Sequence, residues 1–404
     1  MSSGTNSRMN ARLNMDTGSG IDTLSTPAML LDLDILEENI RTYAEKAKAC
    51  GKALWPMVKT HKSSEIAAMQ ADAGCEGFLC GTLDEAEQLA ADGFQHLMYA
   101  YPAAAGPSIQ RIIALAKQVP DFIVRLDSLE AAEALEAAAA AEASALAAAK
   151  AAENREAAAG KAVFQVKYTV ILDCGLHRFG ISAEKIAEFV EKLRIFPHLL
   201  WKGISTHPGH VYGAASAAEV PGFCAEEAEQ IGAAVRNLKA AGLVPEIVGS
   251  GSTPTYAANI GDPVINMYHP GNYVFNDAIQ ISNGTAEEGN CALTVLATVI
   301  SNPSEGHFIC DAGAKCLGLD QGAHGNSSLT GHGRVIGHPE LKVSHLSEEV
   351  GQLEAAGPTD LKIGDRIRII PNHSCSAANL TSRMTGIRRG QTDRVILVNM
   401  RGNQ

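Results

Sequence analysis

Five short stretches of this 404-residue chain carry side chains able to do chemistry. The first reads Trp55-Pro56-Met57-Val58-Lys59-Thr60-His61-Lys62. An apolar run leads into Lys59, and Ser63, Ser64 and Glu65 then give a helix start ahead of Ile66, Ala67 and Met69. On a strand alternate side chains share a face, so Met57, Lys59 and His61 are expected on one side and Val58 and Thr60 on the other. A lysine near the C-terminal end of a strand that feeds a helix lies where βα folds build ligand sites. There it is either an ion-pairing residue or an amine nucleophile able to form a Schiff base.

The other four stretches fall later. In Asp173-Cys174-Gly175-Leu176-His177-Arg178-Phe179-Gly180, Arg178 offers a planar, permanently charged fork to an anion or, equally, to a surface carboxylate. Gly203-Ile204-Ser205-Thr206-His207-Pro208-Gly209-His210 supplies two histidines suited to acid–base work near neutral pH, His207 ahead of His210, which is expected in solvent. Gly249-Ser250-Gly251-Ser252-Thr253-Pro254-Thr255 can turn backbone N–H groups and hydroxyls toward a phosphate; it lacks the lysine of a Walker loop, and a flexible turn is the plainer alternative. In Pro371-Asn372-His373-Ser374-Cys375, an extended path sets His373 and Cys375 on one side, where imidazole and thiolate suit Zn²⁺ or a similar ion. A buried cysteine beside a loop histidine is the competing reading there.

These stretches sit on a repeating framework. Strand-like runs over 53–58, 77–80, 96–100, 122–126, 166–172, 201–205, 245–248 and 265–268 alternate with amphipathic segments over 64–72, 83–91, 108–117, 183–193 and 226–241. A strand over 28–33 and a helix over 35–50 precede them. Eight strands with intervening helices predict an α/β fold, a (β/α)8 TIM barrel over 34–285. Short strands over 293–300, 307–310, 334–336, 342–344, 366–370 and 394–398, cut by Gly, Asn, Pro and Asp turns, predict a β-rich second domain made of 26–33 and 286–404. The block at about 130–160 is mostly alanine and reads as a long barrel helix with a surface insertion. Residues 1–25 read as a disordered leader without the apolar core of a secretory signal.

Composition narrows the function classes. A net charge of −12 leaves no basic stripe for nucleic acid, and no apolar run approaches a membrane span. Nine cysteines, without a CxxC pair, fit free thiols in a reducing compartment, so a cytoplasmic protein is expected, with organelle targeting open.

A lysine on the first barrel strand and a phosphate nest on a late one together accommodate pyridoxal 5′-phosphate (PLP). Thr26-Pro27-Ala28-Met29-Leu30-Leu31-Asp32 and Pro56-Met57-Val58-Lys59-Thr60-His61-Lys62 then make the chain resemble the D-threonine aldolase/D-serine dehydratase family, on an alanine racemase N-terminal-like barrel. The second stretch departs from the family pattern at Met57, where histidine is usual. The resemblance implies Lys59 as PLP anchor and Arg178 at the cofactor's phenolic oxygen. It also implies Gly249, Ser250, Gly251, Ser252 and Thr253 with Tyr273 around the phosphate, His207 at the substrate's β-hydroxyl, and His373 with Cys375 on a divalent metal (Zn, Mn or Mg). It further implies a small D-amino acid substrate and a homodimer. The expected reaction is retro-aldol cleavage of D-threonine or D-phenylserine-like substrates to glycine and an aldehyde. The alternative is dehydration of D-serine or D-3-hydroxyaspartate to a keto acid and ammonia, and a racemase on the same fold stands further off, having no use for the metal pair.

Overall fold

The structure is a computed structural model that describes residues 18–152, 164–322, 326 and 328–402, with only the backbone of 150–152. Two sheets organise it. The strands are β1 (Ala28–Asp32), β2 (Ala53–Leu54), β3 (Phe78–Cys80), β4 (His96–Tyr99), β5 (Asp121–Leu126), β6 (Val166–Ile171), β7 (Leu199–Ser205), β8 (Ile247–Ser250) and β9 (Met267–Tyr268). Beyond them come β10 (Leu293–Ser304), β11 (His307–Cys310), β12 (Gly333–Val335), β13 (Leu341–Leu346), β14 (Gly351–Ala355), β15 (Arg366–Pro371), β16 (Arg383–Arg388) and β17 (Gln391–Leu397).

Strands β2 to β9 form one parallel sheet in the order 2-9-8-7-6-5-4-3. Its two ends meet where Met57 bridges Leu79 and Leu79 N donates to Pro56 O at 2.9 Å, which curls the sheet round on itself. The helices between the strands bury apolar faces against it; Leu83–Ala91, for example, turns Leu83, Ala86 and Leu89 inward behind its Thr82 cap. The fold is thus the expected barrel, alanine racemase-like, with a second β domain.

The second sheet has nine strands in the order 11-14-13-12-15-10-1-16-17, with β11 also pairing β10, so six of them close into a small antiparallel barrel. β1 lies between β10 and β16, far from its sequence neighbours. The parallel sheet draws its strands from residues 53 to 268, and the second sheet from 28–32 and 293–397.

Some local expectations change. The lysine stretch is not a strand to its end: past Leu54 the chain stays extended only to Met57, and Val58–Thr60 is a single 3₁₀ turn. Pro56 cannot donate to a ladder, which limits pairing here. The strand-wise alternation of Lys59 with His61 therefore fails: Lys59 and Thr60 face the barrel mouth, whereas His61 is fully buried and its Nδ1 accepts from Ser63 N at 3.1 Å. Residues 18–25 are also not a loose leader: Gly18 N donates to Thr392 O and Thr392 N to Ser19 O, so only residues 1–17 lie outside the described structure at that end. The alanine-rich block is the helix Leu129–Ala152, which buries Ala131, Ala132, Leu135 and Ala139. Its remainder, 153–163, lies outside the described residues. Among the described residues no helix is long and apolar enough to cross a membrane.

Candidate active site

One pocket opens at the C-terminal ends of the barrel strands, facing the second domain. Lys59, Arg178, His207, Gly251, Ser252, His373 and Cys375 all line it, so seven of the eleven residues singled out by sequence meet there within one chain. The 3₁₀ turn delivers Lys59 and Thr60. Opposite them, His373 caps the helix Ser374–Leu380 and Cys375 sits in its first turn. That corrects the extended path expected for 371–375. The helix starts because Asp277, from another segment, accepts from Ser374 N at 2.9 Å and from Ser374 Oγ at 3.1 Å, a capping partner that local sequence does not reveal. Cys375 Sγ lies 3.3 Å from Thr60 Oγ1, so the metal-pair cysteine touches the neighbour of Lys59.

Charge in the pocket is strongly coupled. Burial disfavours a charged imidazole at His373, yet Cys375, Asp320 and Asp277 outweigh it and hold His373 well above its ordinary value. Burial pushes the Cys375 thiol up, but His373, Lys59 and the Thr60 hydroxyl bring it below its usual range. The two thus favour imidazolium and thiolate, each stabilising the other. His207 behaves oppositely: burial first, then the charges of Lys59 and Arg178, hold it well below the ordinary histidine range, so it is a neutral base at neutral pH.

Four singled-out residues do not line the pocket. Gly249 and Ser250 belong to β8, and the Ser250 hydroxyl turns away to the buried Glu227 carboxyl. Thr253 N donates to Tyr212 OH at 3.3 Å, and Thr253 Oγ1 accepts from Tyr273 N at 3.1 Å. The Tyr273 ring points into the core, stacked on Tyr43 at 4.2 Å, with its hydroxyl accepting from Gln70 at 2.8 Å. Gly251 and Ser252 line the pocket instead, together with Gly271 and Asn272. Gly251 has φ +121°, which disfavours any side chain. Arg178 stacks over Phe179, its guanidinium carbon 4.4 Å from the ring centre.

Sequence reasoning missed several lining residues. Arg125 on β5 is 3% exposed; its Nε donates to Ser205 Oγ at 2.7 Å, while Nη2 has no partner among the described residues. A charge inside an otherwise apolar barrel strand was the available signal. His269 donates Nδ1–H to Trp55 O at 2.9 Å, with burial pushing the ring down to about 3, and Nε2 is left without a partner. Asn272 Oδ1 and Gln280 Oε1 likewise lack partners among the described residues. Four buried polar atoms on pocket-lining residues therefore remain to be satisfied, which fits a polar cofactor more than a packed core.

The comparisons with known proteins place this geometry. Residues 31–278 match the alanine racemase, N-terminal domain, family and residues 292–387 the putative serine dehydratase domain, so the class is an alanine racemase-like barrel joined to a dehydratase-type β domain. Over 369 residues the chain is 31% identical to the D-threo-3-hydroxyaspartate dehydratase of Delftia sp. strain HT23, spanning 88% of this chain and 92% of that protein. It is 28% identical to the D-serine dehydratase of Dictyostelium discoideum, spanning 90% and 93%. The crystal structure of D-threonine aldolase from Filomicrobium marinum superposes with a TM-score of 0.81 at 25% identity, covering 96% of this chain and 99% of that one. A cysteine-to-alanine variant of a D-threo-3-hydroxyaspartate dehydratase, solved in a metal-free form, matches with a TM-score of 0.79 at 27% identity, over 94% and 99%. The chain belongs to the D-threonine aldolase/D-serine dehydratase family. Members of that family are PLP-dependent lyases.

Proposed function

We propose that this protein is a PLP- and divalent-metal-dependent lyase acting on D-configured β-hydroxy amino acids. The observation that carries the reading is the meeting of Lys59 with His373 and Cys375 in one pocket of one chain, Thr60 linking the two halves through its 3.3 Å contact with Cys375 Sγ. Lys59 would hold the cofactor's aldehyde, Gly251, Ser252 and Gly271 its phosphate, and Arg178 its phenolic oxygen. When bound, PLP supplies a conjugated ring that takes up the electron pair released at the substrate's Cα. His373 and Cys375 offer imidazole and thiolate, a donor set that fits Zn²⁺. Among the described residues no three His, Cys, Asp or Glu side chains converge on one point, so further positions would be left to water or substrate.

The first reading is retro-aldol cleavage of D-threonine or D-phenylserine-like substrates to glycine and an aldehyde, with neutral His207 accepting the β-hydroxyl proton. A specific observation favours a second: a thiolate-leaning Cys375 selects a softer ion suited to aiding loss of hydroxide, with Lys59 accepting the Cα proton, and the product is then a keto acid plus ammonia. Incubating the PLP- and Zn²⁺-loaded protein with D-threonine decides between them: acetaldehyde and glycine support the first, 2-oxobutanoate and ammonia the second. Neither set of products, from this substrate or from D-serine and D-3-hydroxyaspartate, would reject the lyase reading. EDTA is expected to remove the activity; D-to-L interconversion surviving EDTA would point to a racemase instead. The working assembly is a homodimer, as the resemblance implies, and light scattering at the mass of a single chain would reject it.

A further inference from the structure

A carboxylate outside the pocket faces the back of the metal pair. Asp320 Oδ2 lies 3.6 Å from His373 Nδ1, and Ser376 Oγ lies 3.3 Å from the same nitrogen. The Ser376 hydroxyl also bonds Asp320. The backbone of Asp320 is fixed independently: Asn372, buried and directly preceding His373, donates Nδ2–H to Asp320 O at 2.9 Å and to Gly331 O at 2.8 Å. One residue thus ties the Asp320 segment to the strand end that presents His373. No group of three His, Cys, Asp or Glu side chains able to hold a metal ion forms among the described residues, and Asp320 meets His373 at Nδ1, so Asp320 is a partner of the imidazole and not another donor.

We propose that Asp320 is the positioning residue for metal binding in this pocket: its carboxylate, facing His373 Nδ1, fixes the tautomer and ring orientation in which His373 takes a divalent cation. An ionised carboxylate cannot donate, and its charge 3.6 Å from Nδ1 favours the tautomer with the proton on Nδ1, which leaves the Nε2 lone pair for a ligand. Ser376 alone does not set that choice, because a hydroxyl can donate to Nδ1 as readily as accept from it. The negative charge also makes the imidazole a better electron donor. This role rests on the reading of His373 and Cys375 as the metal pair.

The test is Zn²⁺ affinity, separate from turnover. Full-length protein is loaded with PLP, stripped of metal and titrated with Zn²⁺ against a chromogenic chelator, as wild type, D320A and D320N. The expected result is a loss of affinity of about 10- to 100-fold in D320A, the range typical of removing such a partner. D320N, whose amide keeps an acceptor oxygen near Nδ1 without the charge, falls between. PLP affinity stays at the wild-type value in both, because Asp320 does not line the pocket. Loss of loop structure would instead lower both variants equally, without the Asp–Asn–Ala gradation, and would overturn the proposal. Wild-type Zn²⁺ affinity in both variants would also overturn it while leaving the metal pair standing. Failure of the wild-type protein itself to bind Zn²⁺ would overturn the metal reading and this role together.

Discussion

Gly271 offers the sharpest test of how the lysine turn is held. A Cβ at this position would lie 2.9 Å from Thr60 Oγ1 and 3.1 Å from both Cβ and the backbone oxygen of Met57, tighter than ordinary contact at 3.4–4 Å. The Met57 backbone cannot give without disturbing its bond to Pro270 O, at 3.1 Å. Thr60 can rotate, but rotation forfeits the 3.3 Å contact with Cys375. Overpacking of this kind costs about 1–3 kcal/mol. If the strain is relieved by moving the Met57–Thr60 turn, a conformation competent for PLP is depopulated by the same amount. G271A should then bind PLP about 5- to 150-fold more weakly, since 1.4 kcal/mol is a factor of ten. Thr60 also helps hold the Cys375 thiol down, so the pH profile of thiol labelling at Cys375, taken as the difference between G271A and G271A/C375A, should move upward. G222A, an exposed helical glycine with nothing within 4 Å of its added Cβ, is the control and should change neither quantity. A G271A protein with PLP affinity within about twofold of wild type, an RT-sized effect, and an unchanged thermal midpoint would refute the argument.

Other outcomes follow from single groups. Replacing Lys59 by Ala should abolish the visible absorbance of protein-bound PLP, and persistence of that band would sink the anchor assignment. His207 is already neutral below the ordinary histidine range, so H207N should lower aldol turnover by about 10²–10⁴ without moving the acid limb of the pH profile; disappearance of that limb in H207N would show the imidazole titrates there. Glu227, buried with Ser250, Thr255 and Asn259 as its hydrogen-bonding partners among the described residues, is pushed up to about 7 by burial. A raised carboxyl keeps its proton longer folded than unfolded, so its ionisation removes stability as pH climbs from 4.5 to about 7. The advantage of E227Q over wild type should therefore grow across that window, by up to about 3 kcal/mol in denaturant unfolding. A constant difference would contradict it.

Much of this architecture is readable in advance where it is local. The helices Ser64–Asp72 and Leu83–Ala91 begin behind Ser63 and Thr82, whose side chains accept from Ile66 N and Glu85 N, and such caps are written into adjacent residues. Two strands of the second domain, Gly351–Ala355 and Arg383–Arg388, escape the pattern because their polar residues hide the apolar ones that face the core, Leu353 and Met384. The site fared similarly. Lys59, His373 and Cys375 are evident from residue type, whereas the geometry that joins them depends on Asp277 capping a helix nearly a hundred positions away. Tyr273 illustrates the opposite error: a residue in the right loop whose ring is claimed by the Tyr43 stack and the core. Arg125 and His269 sit inside or just after apolar strands, where a polar residue reads as an interruption until its unpartnered nitrogen is found facing a pocket.

A core shared by the two domains explains why the two halves of the site can act as one. Leu33, Leu36 and Ile40 of the helix Leu33–Ala49 pack with Tyr273, Val274 and Phe275 from the barrel side and with Ala377, Ala378, Met384 and Ile396 from the second domain, in a single buried cluster. The residues that carry this packing are chain neighbours of the ones that face the pocket: Asn272 precedes Tyr273, and Cys375 lies one short step before Ala377 on the same helix. Asn272 closes the circuit, donating Nδ2–H to Asp277 at 2.6 Å and lying 3.6 Å from Cys375 Sγ. Close-packed interiors transmit displacement because they have no slack to absorb it. A cavity-forming change such as F275A, although its side chain does not line the pocket, is thus positioned to shift Lys59 and Cys375 relative to each other, and chemistry that needs both should be more sensitive to it than PLP binding, which does not need Cys375.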